Sequence, residues 1–408
     1  MIGTRVACAV LEGDGYDGVV THGGPAFDVA IVGGGVIGSS IAYHLARSGA
    51  RVAVFEQAAP AVEPSASWAS AGGVRQQGRD PREWPLSLEA GRRWPALDDE
   101  LGAATRFVQG GHLHLVETAD DLPALEARVA RERAAGMDIR LIGGPELRAL
   151  APALAPQVLA AAYTPADGQA HPPSTTRAFA AAAQRHGAHF ATVTRVVDLA
   201  RHGERVTGLV TQAEPVSAGW VVLAAGAWTP RLAAAIGLDL PLRTRAPQML
   251  LTSPAPRQLA PTVTAVGRPL SLKQLPSGEF FIGGGWPSDV VDDGRRLSCR
   301  VRAGSVAGSW AVATAVVPTV SSQRIVQSWC GVEAECFDGV PLIGPAVDHP
   351  GLYLAVGFSG HGFQLAPAVG RAVADALLGK PTPGLEGLAP ARAAGFDPAA
   401  VAGFKTTD

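Results

Sequence analysis

Lysine is nearly absent from this 408-residue chain: Lys273, Lys380 and Lys405 are its only three, and the other 31 of its 34 basic side chains are arginine. Charge of either sign is sparse. Charged residues make up 17% of the chain, and 34 basic against 36 acidic side chains leave a formal net charge of -2. That balance lacks the basic stripe with which a nucleic-acid binder collects phosphates, so nucleic acid is excluded as a partner. Cys8, Cys299, Cys330 and Cys336 are too few for a disulfide framework and include no C-x-x-C pair, which argues against a stapled secreted fold or a dithiol site. No apolar run reaches the length of a membrane span. Residues 1–26, interrupted by Glu12 and Asp14, lack the apolar stretch of a signal peptide. They read as a loosely attached N-terminal extension without chemistry, and a cytoplasmic location is expected.

What is present begins with Asp28–Gln57, DVAIVGGGVIGSSIAYHLARSGARVAVFEQ. Val29–Val32 form a short buried strand, Gly33, Gly35 and Gly38 give G-x-G-x-x-G, and a helical pattern follows until Gly49. Val52–Phe55 form a second strand that ends on Glu56, 23 residues after Gly33. In this arrangement Gly33 permits a tight turn, Gly35 lets backbone approach a pyrophosphate, and Gly38 lets helix and strand pack closely. The helix N-terminus, with Val36 and Ile37 in its first turn, offers N–H groups to phosphate. Glu56, followed by Gln57, is placed for ribose hydroxyls and argues against a 2′-phosphate. This unit alone does not separate FAD from NAD.

Two further glycine-rich stretches lie downstream. Trp220–Leu223 read as a strand running into Ala225, Gly226 and Trp228 in AAGAW. Leu352–Val356 read as a buried strand entering GFSGHGF, with Gly357, Ser359, Gly360, His361, Gly362 and Phe363, before a helix that stops at Gly379. Both endings allow a ligand close to backbone.

Together these motifs resemble the D-amino-acid-oxidase-like superfamily of FAD-dependent amine oxidoreductases, whose members include sarcosine oxidase, glycine oxidase and proline dehydrogenase β-subunits. SASWASAGGVRQQ at 65–77, with Ser67, Ala71, Gly72 and Gly73, is similar to the flavin-covering loop of those enzymes. The resemblance runs from about Asp28 to Lys380. It implies an α/β fold in which a Rossmann-type FAD-binding domain is interleaved with a mixed-sheet α+β substrate domain. The expected division is 27–84, 152–243 and 326–385 for FAD, 85–151 and 244–325 for substrate, and 386–408 as a C-terminal tail.

The same resemblance assigns candidate roles. Arg75 matches the flavin-loop arginine that holds a substrate carboxylate, a task suited to its planar fork; the alternative is a surface arginine, or one paired with Asp80 or Glu83. His361 lies in the loop expected against the pyrimidine end of the flavin, as a structural histidine or a participant in proton traffic. Gln364 stands where sarcosine oxidases carry a carboxylate-binding lysine. The oxygen-activating lysine of the same enzymes falls near Phe281, and Lys273 takes its place only if the hairpin returns it there. That missing charge favours a dehydrogenase over an oxidase. Val196 resembles a position whose backbone contacts the adenine, or is simply a strand valine. Cys330, before Gly331, lies close to where covalent-flavin relatives attach FAD through cysteine, or is a small buried residue; the second reading is favoured, so FAD is expected to be noncovalent. His112 and His114 alternate on one strand without a third ligand, and no metal is expected. His171, before Pro172 and Pro173, reads as the start of a helix.

The resulting expectation is oxidation of a carbon–nitrogen bond in a small amino acid or N-substituted amino acid. Hydride would pass to flavin N5, and the electrons then to oxygen, a partner subunit or a dye-like acceptor. An NAD-dependent dehydrogenase is the rival enzyme, although it leaves GFSGHGF unexplained. A noncatalytic FAD-binding subunit of a heteromeric dehydrogenase is the rival from another class.

Overall fold

The computed structural model describes residues 26–396. The expected N-terminal extension therefore lies outside the described residues but for Ala26, as does the tail beyond residue 396. The chain opens with β1 (Phe27–Val32), α1 (Val36–Arg47) and β2 (Val52–Phe55). It then crosses to a second body through α2 (Trp84–Arg93), β3 (His112–Val116), α3 (Leu122–Ala134), β4 (Arg140–Gly143) and β5 (Ala160–Thr164). It returns with α4 (Pro172–Arg185), β6 (His189–Ala191), β7 (Val196–His202), β8 (Arg205–Thr211) and β9 (Pro215–Leu223). A second excursion makes β10 (Gln248–Pro254), β11 (Thr262–Ala265), β12 (Arg268–Gln274), β13 (Glu279–Gly283), α5 (Ala303–Val316) and β14 (Ile325–Cys330). β15 (Leu342–Pro345), β16 (Leu352–Val356) and α6 (Gly362–Leu377) complete the first body.

Two eight-stranded sheets result. The first runs β7-β8-β9-β1-β2-β6, with β16 beside β9 and β15 beside β16. Its centre is parallel: β1 pairs with β2 and β9, and β9 with β16. Strands such as Val52–Phe55 are buried on both faces, which is why they read as continuous apolar runs. α1 is buried on nearly every side because α4 and α6 flank it. The second sheet runs β14-β10-β13-β12-β11-β3-β5-β4 and is mostly antiparallel. Its Leu113, Leu115, Leu250, Val263, Leu272 and Ile282 share one apolar cluster with Ala313 and Val316 of α5. The alternate residues of the same strands turn to the other face.

Sheet membership departs from the expected division at two places. β5, inside the expected FAD segment beginning at residue 152, pairs with β3 and β4 in the second sheet. β14, which straddles the expected boundary at 326, pairs with β10. Both departures concern strands, whose sheet membership is set by pairing partners and not by the turn residues that flank them. The first part of the expected tail is also not loose. Leu388 is fully buried in the core of the first body, and Arg392 bonds Asp338 and the Val340 carbonyl. The stretch 81–102 is not one continuous helix: short turns flank α2 and Leu97–Leu101, with Pro85 and Pro95 at the breaks.

The first βαβ turn is the tightest joint. Gly33 adopts φ +105°, and a β-carbon on Gly38 would stand 2.0 Å from the Gly33 carbonyl oxygen. Gly38→Ala is therefore expected to cost about 1–3 kcal/mol as α1 is forced off the strand. The check is a fall in thermal midpoint together with loss of retained flavin after purification. An unchanged midpoint would mean that α1 is free to shift.

Candidate functional site

One continuous cavity of about 660 Å³ runs between the two sheets. Its nucleotide end is built from the first turn of α1 and the strand ends around it. Gly33, Gly35, Val36 and Ile37 line it, with Glu56 and Gln57 at the end of β2. The Val36 N–H donates to Ser67 Oγ at 2.9 Å, so the 65–77 loop lies directly over the helix N-terminus. Glu56 accepts from the N–H groups of Gly34 (2.8 Å) and Ala58 (3.0 Å). Burial raises its pKa, and those N–H groups pull it partly back. Val196, Ala225, Gly226 and Trp228 form the adjoining wall, and Ala71, Gly73 and Gly331 continue it. The glycine loop Gly357–Phe363 closes the end, with Gly357, Ser359, Gly360, His361, Gly362 and Phe363 all on the cavity. A helix N-terminus, a cradle of small residues and a carboxylate on the second strand suit a dinucleotide that lies along the cleft.

The other end is roofed by the second sheet and floored by the 75–83 loop. His112, Thr262, Thr264, Ser271 and Lys273 turn from the sheet to the cavity. Arg75 and Arg79 enter from the floor. Arg75 makes no side-chain hydrogen bond or ion pair among the described residues. Burial and the nearby charges of Arg79 and Arg128 push its pKa down, opposed by Asp167 and Glu132. A guanidinium nevertheless stays a cation near neutrality. Arg79 is 7% exposed, with Nε and Nη1 buried and without partners, and its Nη2 donates to the Arg75 carbonyl at 3.0 Å.

Behind them sits Glu83, fully buried, whose two carboxylate oxygens each lie 3.1 Å from His361 Nδ1. Burial pulls the His361 pKa down to about 4, aided by Arg79 and opposed by Glu83. The imidazole is thus neutral at physiological pH, with Nδ1 held by the carboxylate.

Several expected residues lie elsewhere. Gly38 and Gly72 pack against backbone rather than the cavity; a β-carbon on Gly72 would stand 2.2 Å from the Ala170 carbonyl oxygen. Gln364 is also off the cavity. Its side-chain amide donates to the Ser87 carbonyl at 3.0 Å, and its backbone carbonyl accepts from Trp94 Nε1 at 2.9 Å, so it docks α6 on α2. The place of a charged substrate ligand is thus filled by a helix-to-helix bridge. Cys330 is buried, and its thiol neighbours Cys299, whose pKa is raised by burial and by that neighbour. His112 Nε2 and His114 Nδ1 both meet Thr264 Oγ1, at 3.0 and 2.7 Å. They share a hydroxyl, and among the described residues no group of three potential ligands surrounds a metal position. His171 caps α4, with its Nδ1 accepting from the Ser174 N–H.

Lys273 does return to the site. It sits directly across from Phe281, with Nζ 4.9 Å from the ring centroid, so the absence of lysine at 281 does not leave the cavity without one. Arg79 and Glu83 were not singled out from the sequence. Their one signal is spacing, four and eight residues after Arg75, and in an arginine-rich chain that carries little weight.

A Gly-rich βαβ unit opening into a sheet-roofed cavity defines a dinucleotide-dependent oxidoreductase. The chain belongs to the FAD dependent oxidoreductase (DAO) family, whose sequence profile matches residues 28–376. It is an FAD-dependent oxidoreductase, and FAD rather than NAD is the dinucleotide of its cleft. It is 32% identical to a glycine oxidase of Geobacillus kaustophilus over 87% of this chain and 94% of that one. It is 28% identical to an opine oxidase subunit of Rhizobium meliloti over 84% and 93%. The fold superposes on L-proline dehydrogenase from P. horikoshii with a TM-score of 0.82 and 27% identity, covering 90% of this chain and 98% of that one. No helix among the described residues is long and apolar enough to cross a membrane.

Imidazole NMR of the purified protein is expected to show His361 titrating near 4, well below an unperturbed histidine. Removing the anion in Glu83→Gln should lower that value further, and removing the cation in Arg79→Met should raise it. A titration near that of a free imidazole in all three would mean that the Glu83 contact is absent in solution.

Proposed function

We propose that this protein oxidises the carbon–nitrogen bond of a small amino acid or N-substituted amino acid, of the sarcosine, glycine or proline type, to an imine. The observation that carries this reading is Arg75, with Arg79 beside it, at the opposite end of the cavity that holds the dinucleotide motif, without an ion-pair partner among the described residues. Two neighbouring guanidinium groups without an anionic partner, one of them with Nε and Nη1 buried and unpaired, call for a carboxylate ligand. The similarity to a glycine oxidase and to an L-proline dehydrogenase supports an amino-acid substrate.

FAD, held by the glycine turn before α1, Glu56 and the glycine loop, would supply the two-electron acceptor for this oxidation. The protein supplies position and charge. Arg75 anchors the carboxylate, which fixes the Cα–N bond relative to the glycine loop. His361 offers the amine a neutral ring nitrogen, Nε2, because Glu83 occupies Nδ1. The sheet roof excludes bulk water from the imine until it is released to hydrolyse. Electrons leave to oxygen or to a partner protein. The latter is supported by the opine oxidase relative, itself one component of a larger enzyme by its designation, and by Ile325 and Val326, exposed on the edge strand β14.

Anaerobic mixing with a panel of amino acids is expected to bleach the flavin, and reoxidation with oxygen or a dye then identifies the acceptor class. Arg75→Ala and Arg79→Ala should each raise KM for a carboxylated substrate by about ten-fold or more, while the corresponding decarboxylated amine changes far less. Equal effects on both substrates would remove the carboxylate role, and a flavin that no amine bleaches would remove the reaction.

A further inference from the structure

The second sheet carries a polar row whose register can be followed strand by strand. His112 pairs with Thr262 between β3 and β11. Val263 pairs with Leu272, which makes Thr262 and Lys273 next in register between β11 and β12. Lys273 in turn pairs with Phe281 of β13. Arg75 stands at the His112 end of this row, where its charge lowers the His112 pKa. Lys273 stands two strands away, a backbone separation of about 10 Å at ~4.8 Å per strand. The cavity thus has cations on two walls: Arg75 and Arg79 on the floor loop, Lys273 in the roof.

Lys273 is unusual among them. It is 5% exposed, and its Nζ makes no hydrogen bond or ion pair among the described residues; its one recorded contact is the Phe281 ring. The other cations of the sheet side are neutralised, Arg245 by Glu335 and Arg268 by Glu117. Burial alone lowers the Lys273 pKa to about 7, with no acid nearby to raise it. Ser271, two residues back on the same face, adds a hydroxyl beside it. An unpartnered ammonium inside a ligand cavity is a costly group unless the ligand completes it.

Building on the proposed amine oxidation, we infer that the substrate is a dicarboxylic amine. One carboxylate is held by Arg75 and Arg79, and the second is held by Lys273 across the cavity. Two sources share this chemistry: a secondary amine flanked by two carboxylates, as in an N-carboxyalkyl amino acid, and a primary amine with an acidic side chain. In the first, a hydride equivalent leaves the carbon beside nitrogen for FAD and the nitrogen proton leaves to solvent. Water then adds across the carbon–nitrogen double bond, releasing a primary amino acid and an oxo acid. In the second, the same loss gives an imino acid, which water converts to an oxo acid and ammonia.

The test is binding to the flavin-loaded protein, read as perturbation of the flavin spectrum by unreactive sulfur analogues. Thiodiacetate, a dianion, is compared with (methylthio)acetate, a monoanion. The dianion is expected to bind about ten-fold or more tightly, and this ratio should collapse to about two-fold or less in Lys273→Met and Lys273→Gln. Equal affinities in the unmodified protein overturn the inference without any variant. So does a ratio that persists in both variants at wild-type flavin content, even if reoxidation by oxygen slows, because that result places Lys273 at the acceptor step. Anaerobic bleaching by N-carboxymethylglycine against aspartate and glutamate separates the two sources. If only monocarboxylic amines bleach the flavin, the inference fails while the proposed amine oxidation stands. If no amine bleaches it, the reaction fails independently of the binding ratio.

Discussion

A single buried carboxylate holds the floor of this site together. Glu83 is fully excluded from solvent, yet it grips His361 from a segment 278 residues away. A buried acid survives only with compensating partners, and here the partners are the imidazole and the nearby Arg79 charge. Through that contact the 65–83 loop, the glycine loop and α2 become one unit. Gln364 and Trp94 extend it by tying α6 to α2. The position of Arg75 therefore depends on interactions made well outside the cavity, which is how a loop can present a cation with the accuracy of a rigid element.

The nucleotide half was legible in the sequence because its constraints are local. Gly38 is required by the Gly33 carbonyl five residues away and Gly33 by its own positive φ, although the Ala224 carbonyl of a distant strand also crowds Gly33. The strands around it are buried on both faces and so stand out as apolar runs. The substrate half depends on register, which sequence spacing does not reveal. Lys273 sits eight residues from Phe281 in the chain but directly opposite it in the sheet, so position along a hairpin was a poor guide to position in the cavity. Gln364 failed in the reverse way. Its place after the glycine loop suggested a ligand contact, but the first turn of α6 points that side chain at Ser87.

The division into bodies shows the same limit. β5 and β14 belong to the roof although they lie inside or across segments expected in the other body. Only pairing decides which sheet an apolar run joins. Residues 386–396, rich in alanine and glycine with only Leu388 and Phe396 as large apolar side chains, gave no sign of packing, yet Leu388 is fully buried against the first body.

The scarcity of lysine sharpens the contrast between the two walls of the cavity. Arg75 and Arg79 cannot shed their charge, so the fold places Asp167, Glu83 and Glu132 near them even though none forms an ion pair. Lys273 has no such acids and needs none, because an amine whose pKa has fallen to about 7 can stand neutral when no anion is near. An arginine at the same position would bury a permanent charge against Phe281 and the apolar strands beyond it. In a chain that uses arginine for almost every cation, Lys273 is the one buried lysine among the described residues, and it stands in the roof. A group that holds its proton only part of the time near neutrality, and more fully when an anion binds, is less costly in the resting protein than a fixed charge. In the proposed reading, that asymmetry makes the floor a permanent anchor and the roof a conditional one.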